Sequence, residues 1–69
     1  MKERMKIDRV ESRLTKDYQG YDAYAYDLFL GEKLVDTIIY SDTTQRNASD
    51  KVAKFVRDKC EFVKVGEYV

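Results

Sequence analysis

The sequence predicts an α+β domain, a three-stranded antiparallel β-meander followed by one helix, and three observations carry that reading. Residues 23–30 alternate apolar side chains between two faces; residues 34–40 are rich in β-branched residues; and residues 48–60 repeat apolar positions at helical spacing. The pattern changes period once, from strand to helix, as expected of a meander that is then covered by a helix.

The second strand is the clearest. Tyr24, Tyr26, Leu28 and Leu30 fall on one face, and Ala23, Ala25, Asp27 and Phe29 on the other. Leu34-Val35-Asp36-Thr37-Ile38-Ile39-Tyr40 supplies the third strand, and Gly31-Glu32 between them suits a two-residue hairpin turn. That turn sets Asp27 opposite Asp36, which is unfavourable. A three-residue Gly31-Glu32-Lys33 loop pairs Leu30 with Leu34 instead and avoids the clash of charge. Both registers remain open. For the first strand, residues 5–16 are ambiguous. Ile7, Val10, Leu14 and Tyr18 share a helical stripe, which makes helix–hairpin–helix the alternative. As a strand, Val10, Ser12 and Leu14 alternate correctly while Ile7 falls out of phase. The strand is preferred because a lone hairpin is marginal in water, and Lys16-Asp17-Tyr18-Gln19-Gly20 reads as a turn.

The helix is expected from about residue 45 to 60. Ala48, Val52, Phe55, Val56 and Cys60 form its apolar stripe, and several polar residues between Ser41 and Asn47 are N-cap candidates, with Asp42 and Gln45 resembling a capping box. Residues 61–65 read as a short C-terminal strand. One domain spans residues 1–69, with residues 1–4 expected to be disordered.

A 69-residue chain has a thin stability margin. Cys60 is its only cysteine and it has no histidine, so neither an internal disulfide nor a familiar zinc site is expected, and no cofactor. Self-association as a homodimer is a remaining way to add buried surface. The unpaired cysteine suits a reducing compartment, and no apolar run resembles a signal peptide or a membrane span. A cytoplasmic location is expected. The absence of histidine also removes the usual imidazole bases, and Gly20, Gly31 and Gly66 are isolated rather than clustered into a phosphate loop. Cys60 on the apolar stripe reads as an inert small hydrophobe. Catalysis is therefore not expected.

Net charge is zero but unevenly spread. Residues 1–16 hold six bases and three acids, residues 17–44 one base and six acids, and residues 45–69 six bases and four acids. Four of the six tyrosines, Tyr18, Tyr21, Tyr24 and Tyr26, lie in the acidic middle. One helix cannot cover two apolar sheet faces, so surplus aromatic surface is expected, and tyrosine suits an interface. The preferred reading is a protein–protein interaction module that meets a basic partner through Tyr21, Asp22, Tyr24, Tyr26 and Asp27. Small non-catalytic domains of this kind are often made by phages and mobile elements as inhibitors or accessory factors. The alternative is a nucleic-acid-binding domain whose tyrosines stack on bases while Arg9, Arg13, Lys51, Lys54 and Arg57 meet phosphates. The aspartates interleaved with the rings count against it.

Overall fold

The computed structural model describes residues 4–64. In order these are β1 (Met5–Ile7), β2 (Arg9–Lys16), β3 (Asp22–Leu30), β4 (Lys33–Ser41), α1 (Gln45–Lys59) and β5 (Cys60–Phe62). Strands β2, β3 and β4 form the antiparallel meander, and β5 returns to pair parallel with β1. The fold is the α+β arrangement the sequence predicts. The expected disorder at residues 1–3 and the Val65 end of the expected last strand lie outside the described residues. Arg4 has no regular structure, and β5 starts one residue earlier than expected.

Residues 5–16 are extended, in two pieces broken at Asp8, and the break accounts for the misphased Ile7. The Asp8 N–H donates to the Phe29 carbonyl (2.7 Å), and its carboxylate accepts from the Gly31 N–H (3.1 Å). Asp8 thus ties the start of β2 to the β3–β4 turn and resets the alternation. Ile7 and Val10 then both turn inward, Ile7 fully buried beside Leu28 and Cys60 with Val10 packed against them.

The β3–β4 hairpin contains both registers that the sequence leaves open. Leu30 pairs with Lys33 and Phe29 with Leu34 across the two-residue Gly31-Glu32 loop. A bulge then inserts one residue, so that Leu28 faces Asp36 and Asp27 faces Thr37. The bulge removes the Asp27–Asp36 opposition. In its place the Thr37 Oγ1 hydroxyl donates to Asp27 Oδ1 at 2.8 Å. Gly31 adopts φ 64°, the positive value that the first turn position of this hairpin type requires.

Helix α1 begins at Thr44, whose hydroxyl accepts the Asn47 N–H at 3.1 Å. Thr44 is the cap rather than Asp42, because Asp42 sits in a left-handed bend (φ 56°) that turns the chain from β4 into the helix. At its other end the helix runs straight into β5. Cys60 is already extended, pairs with Met5 and still donates its N–H to the Val56 carbonyl. The apolar stripe predicted for the helix packs on the sheet: Ala48, Val52 and Cys60 are buried, with Phe55 and Val56 half-buried around two contiguous clusters.

Candidate interaction surface

Helix α1 covers the sheet face that carries Tyr24, Tyr26 and Leu28 on β3 with Ile38 and Tyr40 on β4. Tyr26 retains 7% of its exposure and meets Tyr40 edge-on, with ring centroids 6.1 Å apart. Tyr24 packs half-buried beside them. Two residues expected at a partner-contacting face, Tyr24 and Tyr26, therefore belong to the packing beneath the helix. The reason is parity: they share a face with Leu28, and that face meets the helical stripe. Burial pushes the Tyr40 phenol above its ordinary pKa, with a smaller contribution from Tyr26.

Among the described residues no helix covers the other face, and its polar groups are largely paired. Arg13 Nε donates to Asp27 Oδ2 at 2.9 Å, and Asp27 also accepts from Thr37. The Arg13 bond, then that of Thr37, holds the Asp27 carboxyl below the usual carboxylate range. Arg9 lies over the Phe29 ring (4.3 Å to its centroid), donates to Glu11 Oε2 (2.6 Å) and reaches the Gly31 carbonyl (2.7 Å). On the opposite, helix-side face, past the start of α1, Lys16 pairs with Asp22. Along β3, Ala23 and Ala25 are fully buried between the longer side chains of β2 and β4, while Leu34 and Ile39 on β4 stay exposed.

At the β2–β3 turn the sheet ends in a concavity of about 460 Å³ lined by Asp17, Tyr18, Tyr21, Asp22, Ser41 and Asp42. The Asp17 carboxylate accepts the N–H groups of Gln19 and Tyr21, each at 2.9 Å, and Gly20 (φ 88°) closes the turn. Because the carboxylate holds the turn by its backbone, the rings are left outside: Tyr18 is 95% exposed and Tyr21 68%. Asp42 arrives from the β4–α1 loop and makes no hydrogen bond or ion pair among the described residues. Three carboxylates and two open rings thus converge on one end, with Lys16 the nearby base. Of the predicted contact residues, Tyr21 and Asp22 belong to this end, whereas Asp27 lies within the open face. Asp17, Tyr18 and Asp42 are not among the contact residues the sequence predicts. The signal for Asp17 and Tyr18 was present in the Lys16–Gly20 turn, since side chains at a tight turn face water.

The five bases proposed for phosphate contact do not share a surface. Arg9 and Arg13 flank the open face through Phe29 and Ala25. Lys51 reaches over the Tyr40 ring (5.8 Å) on the β4 side of the helix, Arg57 lines a groove on the β2 side and pairs with Asp58, and Lys54 is exposed. The buried Cys60 thiol is pushed up in pKa, first by burial and then by Asp36, which disfavours the reactive thiolate. No family model matches the chain, and neither a curated protein nor a solved structure gives a significant match. No helix among the described residues is long and apolar enough to cross a membrane.

Proposed function

We propose that this protein is a non-catalytic interaction module that docks a protein partner at the turn end of its sheet, taking a Lys- or Arg-bearing segment between Tyr18, Tyr21, Asp22 and Asp42. The observation that carries this reading is the pair of open phenol rings set among three carboxylates. An ammonium or guanidinium held there meets ring faces and carboxylate oxygens together, a combination stronger than either alone. The backbone that carries the rings is a short, hydrogen-bonded turn, so little backbone ordering cost opposes docking. Phosphate would meet the wrong sign of charge at this end, and the scattered bases offer it no continuous track.

The test is a titration of isotope-labelled protein with a Lys/Arg-rich peptide, alongside capture from lysate with and without nuclease. Peptide-induced shifts are expected to centre on residues 17–22 and 41–43. Tyr18→Ala and Tyr21→Ala are each expected to weaken binding by roughly tenfold, the scale of an aromatic hot spot, with unchanged Tm. Binding that survives both substitutions, or that nuclease abolishes, defeats the reading.

A further inference from the structure

Strand β2 ends the meander sheet, and among the described residues no strand pairs with its outer edge; β5 pairs with β1 alone. The Asp17 N–H donates to the Tyr21 carbonyl, one step beyond the Lys16–Asp22 pair. Antiparallel pairs alternate, so the odd-numbered residues of β2 spend their N–H and C=O groups on β3. Those of Val10, Ser12, Leu14 and Lys16 point outward. Above this edge, on the helix side, lies an apolar groove lined by Val10, Val52, Ala53, Val56 and Phe62. On the same face of the same strand, beside Tyr24 and the first residue of the helix, Gln45, Leu14 stands 67% exposed.

We infer that the outer edge of β2 is a self-pairing surface, on which a second copy of this chain docks antiparallel about a two-fold axis through Ser12. In that register Val10 faces the partner's Leu14, Glu11 faces the partner's Arg13, and Ser12 faces its own copy. Each apolar groove receives the leucine that the other copy leaves exposed, and opposite charges meet across the axis. The outward amides of Val10, Ser12 and Leu14 pair with their counterparts, so the register agrees with the hydrogen-bond parity. Other two-fold registers fail on charge or space. An axis at Glu11 or Arg13 sets like charges directly opposite, and one at Leu14 sets Glu11 against Asp17. An axis at Val10 drives the partner into β5, which already holds Ile7. The result is one six-stranded sheet with both helices on the same face, an isologous contact closed at two copies. It covers a strand edge that no described strand pairs. The inference does not rest on the turn-end reading: its pairs run from Val10 to Leu14, and the partner's turn begins where β5 ends against Ile7.

Sedimentation equilibrium across a concentration series tests it. The wild-type mass is expected to climb from 8.2 kDa toward twice that value. Ser12→Pro removes only an outward N–H, so the monomer keeps its sheet while the dyad bonds are lost. Its dimer dissociation constant is expected to rise on the order of 100-fold, with an unchanged far-ultraviolet spectrum. Leu14→Lys, which withdraws the side chain filling the groove, is expected to act in the same direction. Should Ser12→Pro fail to fold, Ser12→Cys decides: mild oxidation is expected to give a reducible dimer linked across the axis, the buried Cys60 taking no part. Three results overturn the inference. They are a chain that remains at 8.2 kDa at every concentration, whatever else covers the edge; a dimer that both Ser12→Pro and Leu14→Lys leave intact; and a Ser12→Cys protein that does not cross-link.

Discussion

Asp27 sits between Arg13 and Thr37 with its carboxyl held below its ordinary pKa, and the sign of its effect on stability follows. A depressed folded value adds stability above the unfolded value, about 4 for aspartate, and loses it as pH falls through the folded value. Asp27→Asn is therefore expected to lower Tm at neutral pH and to flatten the acid limb of a Tm–pH profile. At the alkaline end Cys60 and Tyr40 act the other way. Burial raises both, so their contribution is present below the ordinary values and is lost as pH climbs from about 8.5 for the thiol and about 10 for the phenol. Cys60→Ala is expected to move the onset of alkaline unfolding toward the phenol range in the same profile. The tyrosines divide along similar lines. Tyr26→Ala, in the packing beneath α1, is expected to lower Tm sharply, whereas Tyr18→Ala leaves it unchanged. Leu28 is fully buried at the centre of the Ile7–Cys60 cluster, and Leu28→Ala is expected to cost about 2–5 kcal/mol in urea unfolding.

Elements in this chain are held by a few polar groups at their ends. Thr44→Ala is expected to cost about 1 kcal/mol of stability, and Thr44→Ser much less, because one hydroxyl satisfies the Asn47 N–H at the start of α1. Denaturant midpoints of the two variants measure the difference. At this scale the sequence was readable where patterns are local. The alternation over residues 23–30 and the helical stripe from Ala48 to Cys60 each reflect contact with a single neighbouring layer. Features that depend on two distant segments were not readable. Ile7 looked misphased because the break at Asp8 is fixed by Phe29 and Gly31, far along the chain. The two hairpin registers looked exclusive because the bulge at Val35 reconciles them only once Asp27 has Thr37 to face. Parallel pairing of β5 with β1 joins the two ends of the described chain, and no local periodicity encodes it. The site was half legible for the same reason. Tyr21 and Asp22 stand at a turn visible in the sequence, while Asp42 reaches them only through the β4–α1 bend, and the helix that hides Tyr24 and Tyr26 chose its face by packing.

For the whole molecule, little core stands against much open apolar surface. Among the described residues only Ile7 and Leu28 are large side chains fully removed from water, while Leu14, Leu34, Ile39 and Phe62 keep more than half of their exposure. A domain of this size gains stability readily from any surface it can bury outside itself. Pairing along β2 buries Leu14 and the groove beside Val10 and Phe62 twice over, and it leaves Leu34 and Ile39 untouched on the far strand. Folding and association are then linked, since only the folded chain presents a continuous strand edge, and such linkage makes Tm depend on concentration. The Tm of the wild-type protein is accordingly expected to rise as concentration increases across the range where its mass doubles. The Tm of Ser12→Pro is expected to stay flat and to coincide with the dilute limit of the wild type. Calorimetry on both proteins over a hundredfold dilution checks this. A wild-type Tm that ignores dilution, in a range where the mass changes, would mean that the association buries no surface on which folding depends, and would separate it from the edge formed by Val10, Ser12 and Leu14.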